Sequence, residues 1–116
     1  MSADRTFAAL SDATRRAILE LLREHEELSA GEIAGRFPRI TRPAVSKHLR
    51  VLRESGLVRA EERGRENLYR LDAAPLAEVQ RDWLDGFAPL WEQSLERLKV
   101  AAESEARPGS RRRRSR

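Results

Sequence analysis

The stretch from Thr41 to Arg53 combines an apolar edge with side chains that bind phosphates and base edges. Val45, Leu49 and Leu52 recur at spacings of four and three residues, which places them on one face of a helix. Cationic side chains neutralise phosphates and donate to guanine O6 and N7, and a serine hydroxyl can contact either kind of base edge. The side away from the apolar edge carries Arg42, Ser46, Lys47, Arg50 and Arg53. We therefore predict a helix that packs by one face and contacts DNA by the other.

A second helix and a turn must position this basic helix. Ser29-Ala-Gly-Glu32 matches a capping box, in which the serine and glutamate satisfy each other's free backbone amides. It predicts a short helix through Phe37, followed by a turn at residues 38–40. Thr41 then caps the basic helix, and we include it among the DNA-binding positions. The two helices and their turn predict a helix-turn-helix.

Two more helices are expected before this pair and two strands after it. Residues 7–10 form a short helix, and Ser11 or Asp12 caps a second one that runs to about residue 23. Its buried edge would consist of Ala17, Ile18, Leu21 and Leu22. Gly56 is expected to end the basic helix in a left-handed turn, which glycine adopts without strain. After it, residues 57–62 and 67–71 predict two strands joined by a basic turn. Such a hairpin is a wing, and Arg63 and Arg65 at its tip are predicted to contact phosphates or the minor groove.

Helical spacing returns from Pro75 to about Ala106, and its apolar stripe predicts a dimer interface. Gly86 and Pro89 interrupt the pattern, so we expect this long C-terminal helix to be kinked or broken between them. The predicted interface consists of Phe7 from the first helix with Leu76, Val79, Trp83, Phe87, Leu90, Trp91, Leu95 and Leu98. Trp83, Phe87 and Trp91, spaced by four, would stack on one helical face. An intramolecular core and a pocket for a small organic inducer of unknown identity are the alternatives for these aromatic residues.

Charge is distributed unevenly along the 116 residues. Residues 107–116 contain six arginines and no acid, whereas residues 1–106 contain 17 bases and 19 acids. Within residues 29–70 there are ten bases and five acids, and within residues 75–106 three bases and seven acids. A basic middle between acidic flanks is expected if only the middle contacts phosphate. We predict one domain at residues 1–106 and a disordered arginine-rich tail at residues 107–116.

Several function classes are excluded by what the sequence lacks. There is no cysteine, which excludes thiolate metal sites and cysteine nucleophiles. His48 adjoins the apolar edge and is interpreted as a packing or phosphate-bonding residue, so we expect neither a metal nor another cofactor. No glycine-rich phosphate loop or paired nucleophile and base indicates an enzyme. No apolar run approaches the roughly 20 residues that span a membrane, and we expect a cytoplasmic protein.

Four motifs in order resemble the ArsR-type winged-helix repressors. They are Ala9-Leu-Ser-Asp-Ala-Thr-Arg15, Leu28-Ser-Ala-Gly-Glu-Ile-Ala34, Pro43-Ala-Val-Ser-Lys-His-Leu49 and Leu52-Arg-Glu-Ser-Gly-Leu-Val58. The likeness covers roughly residues 5–72, and the final helix resembles the branch of the family without the usual metal ligands. The resemblance implies a mainly α fold with a small β-hairpin, a winged helix-turn-helix, and a homodimer joined by its first and last helices. It also implies DNA contact through Arg42, Pro43, Ser46 and Lys47.

Two functions are consistent with these patterns. The first is a homodimeric, sequence-specific repressor that binds double-stranded DNA at a palindromic operator near its own gene. The alternative is a winged-helix module that binds a protein or RNA and owes its nucleic-acid affinity to the basic tail.

Overall fold

The computed structural model describes residues 3–105, which form six α-helices, one short 3₁₀ helix and a three-stranded antiparallel sheet. In chain order the elements are α1 (Ala3–Leu10), α2 (Ala13–Glu24), β1 (Leu28–Ser29), α3 (Ala30–Gly35), α4 (Arg42–Glu54), β2 (Val58–Arg63), β3 (Glu66–Leu71), α5 (Ala74–Asp82), the 3₁₀ helix (Leu84–Phe87) and α6 (Ala88–Glu105). The chain divides into two compact units, and the described residues of these are 3–80 and 81–105. The predicted fold, mainly helical with a helix-turn-helix and a wing, is confirmed.

The N-terminal unit is built around one hydrophobic core. Val45, Leu49 and Leu52 of α4 are all buried, as their spacing predicts. They pack in one cluster with residues of α2, α3 and the sheet. On α2 the buried edge consists of Ile18, Leu19 and Leu22, while the predicted Ala17 and Leu21 are half-buried. The buried face of α2 is therefore rotated slightly from the predicted one, but the core itself is as expected.

Side-chain caps define where the helices begin. Asp12 accepts a hydrogen bond from the backbone N–H of Arg15 at 3.1 Å and caps α2. Ser11, the other candidate for this cap, instead donates to the Ala8 carbonyl near the end of α1. The Ser29–Glu32 capping box is present in both directions. The helix that it opens ends at Gly35 rather than Phe37, because the last amides bond three residues back and tighten the chain.

The predicted hairpin is present as β2 and β3, and a third short strand, β1, extends it into a three-stranded sheet. The strand order is β1-β3-β2, and β1 pairs Leu28 with Tyr69. A strand of two residues is too short to show an alternating pattern in the sequence, and β1 was therefore not predicted. Gly64 lies in the wing turn with φ +65°, a left-handed conformation that glycine adopts without strain. Gly56, with φ +82°, ends α4 as predicted.

The C-terminal unit contains the predicted break. A 3₁₀ helix separates α5 from α6, and Pro89 is the second residue of α6. Proline is tolerated there because the first turn of a helix has no intrahelical acceptors for its amides, so Pro89 begins a new helix instead of kinking a continuous one. The rings of Trp83 and Phe87 are in contact, with centroids 4.8 Å apart and planes at 58°. The arginine-rich tail lies outside the described residues.

Candidate nucleic-acid interface

The outer face of α4 presents a continuous strip of exposed side chains. Pro43, Ser46, Lys47 and Arg50 are all exposed and follow at spacings of three, one and three residues. At 100° per residue these positions share the side of the helix that faces away from the core. We call these four residues the α4 strip. It lies in the N-terminal two thirds of the helix and combines a hydroxyl with two cations.

Thr41 and Arg42 lie at the start of the helix, beside the α4 strip. The Thr41 hydroxyl accepts a hydrogen bond from the backbone N–H of Ala44 at 3.2 Å, so it serves as the cap. The Arg42 guanidinium lies over the first turn of α3, where its Nη2 would be 3.5 Å from a Cβ on Gly31. Arg42 is thus placed where α3 and α4 meet, with its side chain exposed.

His48 faces the body of the protein rather than the α4 strip. Its side chain is 19% exposed, and its Nδ1 lies 3.3 Å from Nη1 of Arg15 and 3.8 Å from Oδ2 of Asp12. The backbone N–H of Arg15 is the main cause of a lowered pKa at Asp12; desolvation opposes this effect, and the nearby Arg15 guanidinium adds to it. His48 therefore lies where α2 and α4 meet. The contact between Arg15 and His48 was not predicted, because the two residues are 33 positions apart in the chain.

The two wing arginines have different surroundings. Arg63 is held by two carboxylates, with Nη1 3.0 Å from Glu27 and Nη2 3.1 Å from Glu61. Glu27 also pairs with Arg70 at 2.9 Å, and that hydrogen bond, supported by Arg63 and opposed by some desolvation, lowers the pKa of Glu27. Arg65 follows the turn glycine, is exposed, and has no ion-pair partner within residues 3–105. Of the two predicted positions, Arg65 is the one whose charge is free.

Two further arginines extend the basic surface beyond the predicted residues. Arg36 and Arg39 lie in the segment between α3 and α4, are exposed, and have no ion pair among the described residues. In a docked helix-turn-helix the first helix and the turn cross the phosphate backbone, which suits cations at these positions. Their charge and their place in the turn were visible in the sequence and could have identified them.

The residues predicted for the dimer interface fall into two groups. In the N-terminal unit Phe7 is exposed, whereas Val79 is buried and Leu76 packs against the core of its own chain. Both α5 residues therefore have little surface left for a partner. In the C-terminal unit all the predicted positions are exposed: Trp83, Phe87, Leu90, Trp91, Leu95 and Leu98. Exposed apolar side chains in such a row are typical of a surface that another protein covers.

Residues 3–105 contain no group of three or more histidine, cysteine, aspartate or glutamate side chains that could hold a metal ion. Nor does any helix among them have the length and apolar character needed to cross a membrane.

Comparisons with known proteins agree with this geometry. Residues 10–61 match a family model described as a helix-turn-helix domain. The HTH-type transcriptional regulator Rv2034 of Mycobacterium tuberculosis is 45% identical over 94 residues, 81% of this chain and 82% of the relative. The transcriptional repressor SdpR of Bacillus subtilis is 35% identical over 81 residues, 70% of this chain and 87% of the relative. The solved structure of an ArsR-like transcriptional regulator from Rhodococcus sp. RHA1 superposes with a TM-score of 0.64 at 39% identity, covering 86% of this chain and 92% of the other.

The identity and coverage of these relatives, together with the helix-turn-helix and wing described above, show the family. Its members are regulators and not enzymes. The chain belongs to the ArsR family of winged helix-turn-helix, DNA-binding transcriptional regulators.

Proposed function

We propose that this regulator is a homodimeric repressor that binds a two-fold symmetric operator in the cytoplasm. The observation that carries the proposal is the α4 strip, an exposed row of cations and a hydroxyl on a helix whose other face is anchored in the core. A dimer would place one α4 in each of two successive major grooves, about one helical turn apart. The relative SdpR is named a repressor, which supports the direction of regulation.

Individual contacts follow from position and chemistry. Lys47 and Arg42 would donate to guanine O6 and N7, and Ser46 can contact either type of base. Arg50 lies one turn further along the α4 strip and suits a phosphate. Arg65, the free cation of the wing, would contact the backbone or minor groove beside the docked helix. Base recognition thus depends on the first half of α4, while its neighbours fix the orientation on the duplex.

Dimer formation is assigned to the exposed apolar face of the C-terminal unit. Trp91, Leu95 and Leu98 lie on one side of α6, and aromatic residues are enriched at such interfaces. A charge in this face should dissociate the dimer, so Leu98→Glu is expected to sediment as a monomer at micromolar concentration. Gln93→Glu adds the same single negative charge on the opposite side of α6 and should remain dimeric. Equal sedimentation of the two variants would contradict this assignment.

The central experiment measures sequence preference. Duplexes are first selected from a random-sequence library with the full chain, and binding is then followed by fluorescence anisotropy with random duplex as competitor. Arg42→Ala with Lys47→Ala should remove the preference for the selected sequence, since each good base contact discriminates by about 1–3 kcal/mol. Arg97→Ala with Lys99→Ala removes the same charge from α6 and should preserve the preference.

Two results would overturn the proposal. One is a failure of the unmodified chain to enrich any sequence, which would favour binding to a protein or RNA instead. The other is an unchanged preference in the Arg42 and Lys47 double variant, which would mean that α4 does not contact bases.

A further inference from the structure

Arg15 joins three helices through one guanidinium group. Its Nε donates to the Ala9 carbonyl at 2.8 Å and its Nη2 to the Ala8 carbonyl at 3.1 Å, both near the C-terminal end of α1. Its Nη1 faces Nδ1 of His48 on α4 at 3.3 Å. Arg15 itself belongs to the first turn of α2, whose cap is Asp12. Arg15 therefore belongs to α2 and links it to α1, which carries Phe7, and to α4, the recognition helix.

Donor and acceptor chemistry determines how His48 takes part. A guanidinium can only donate, so Arg15 hydrogen-bonds His48 in the neutral tautomer that carries its proton on Nε2 and leaves Nδ1 as the acceptor. The two α1 carbonyls are among those that a helix end leaves without an intrahelical partner; Arg15 donates to both, and the Ala8 carbonyl also accepts from Ser11. The ring is thus held by one defined atom. His48 is also next to Lys47 in sequence, so the anchored turn of α4 is the turn that carries the base-contacting side chains.

We propose that Arg15 and His48 are positioning residues for DNA recognition, and that Nδ1 of His48 is the atom through which α4 is aligned on α1 and α2. This inference rests on the proposed contact of α4 with bases. It differs from the interpretation of His48 as a packing or phosphate-bonding residue, because a phosphate contact would use the other ring nitrogen, Nε2. Loss of the anchor lets the recognition helix shift by a fraction of an ångström to an ångström, which impairs base contacts more than phosphate contacts.

Two conservative substitutions separate the two nitrogen atoms. In His48→Asn the side-chain oxygen reaches the position of Nδ1, and in His48→Gln it reaches that of Nε2. Each variant is measured by anisotropy on the selected duplex and on random duplex, at a temperature well below its thermal midpoint. We expect His48→Asn to keep its preference for the selected duplex within about threefold. We expect His48→Gln to lose about tenfold in preference, the scale of one hydrogen bond to a charged group, with little change on random duplex.

A double-mutant cycle extends the test to the arginine. Arg15→Gln should lower the preference by a similar factor, and Arg15→Gln combined with His48→Gln should lower it no further, because both changes break the same contact. A purely destabilising role would lower binding to both duplexes alike.

Four outcomes would overturn the inference. If His48→Gln bound both duplexes as tightly as the unmodified chain and His48→Asn bound both more weakly, His48 would be assigned to a phosphate contact through Nε2. Equal preference in the two variants, or additive losses in the cycle, would show that Nδ1 does not align α4. A wild-type chain without any preference would instead refute the proposed function, and with it the alignment that depends on it.

Discussion

The wing provides a test of whether ion pairing decides which arginine contacts DNA. Arg63→Ala and Arg65→Ala change the net charge of the chain equally, so their effects on the overall electrostatic field are matched. They differ in local structure, because Arg63 is bound by Glu27 and Glu61 whereas Arg65 has no ion pair within the described residues. We expect Arg65→Ala to remove a phosphate contact and Arg63→Ala to remove little.

The expected magnitude follows from counterion release. Each neutralised phosphate contributes about 0.9 to the slope of log Kobs against log salt concentration. A dimer presents two wings, so Arg65→Ala should reduce the steepness by about 1.8. Over a fourfold rise in salt this corresponds to about a tenfold difference from the unmodified protein. For Arg63→Ala the change should be less than half as large, because its carboxylate partners already neutralise it.

The slope of log Kobs against log salt concentration is measured by fluorescence anisotropy. A random-sequence duplex of about 30 base pairs is used, because phosphate contacts do not require an operator. Titrations run from about 50 to 200 mM salt with the full chain, so that the arginine-rich tail contributes equally to every variant. Circular dichroism controls for loss of folding. An equal or larger slope change for Arg63→Ala would refute the reasoning, because it would mean that Arg63 leaves its carboxylates to bind DNA.

Three further predictions concern stability. Thr41→Ala removes the cap of α4 and should lower the free energy of unfolding by about 1 kcal/mol in urea titrations, whereas Thr41→Ser should retain most of it. Leu52→Ala, at a position with no exposed surface, should cost about 2–5 kcal/mol in the same titrations. The lowered folded-state pKa of Asp12, caused mainly by the Arg15 backbone N–H, means that its carboxylate contributes stability above the unfolded pKa and loses it as the pH falls below about 4. Asp12→Asn keeps a capping oxygen and should flatten this part of the pH profile in thermal melts; an unchanged profile would contradict the assignment.

What could be predicted from sequence was mostly local. The spacing of Val45, Leu49 and Leu52 gave the buried face of α4, and the capping box at residues 29–32 gave the start of α3, because both depend on neighbours within a few residues. The left-handed glycine that ends α4 was expected for the same reason. Such patterns operate within one turn of helix, and the fold preserves them.

What could not be predicted depended on distant partners. The contact between Arg15 and His48 spans 33 residues and uses backbone carbonyls, which every residue has and which no sequence pattern identifies. The pairing of Glu27 with Arg63 spans 36 residues and depends on the position of β1, a strand too short to detect. Position at the hairpin tip therefore could not show that one wing arginine is paired and the other is free.

The ion pairs between arginines and carboxylates also determine which parts of the basic segment, residues 29–70, can attract phosphate. On the sheet, Arg59, Arg63 and Arg70 each bind a carboxylate, so their charge is largely compensated. Within residues 3–105, the cations of residues 29–70 that have no ion pair are Arg36, Arg39, Arg42, Lys47, Arg50, Arg53 and Arg65. All of them lie on α4, in the turn before it or at the wing tip. Exposed ion pairs add little to stability. Their main effect here is to neutralise the sheet, so that α4 and the wing tip are the surfaces whose positive charge attracts a DNA duplex.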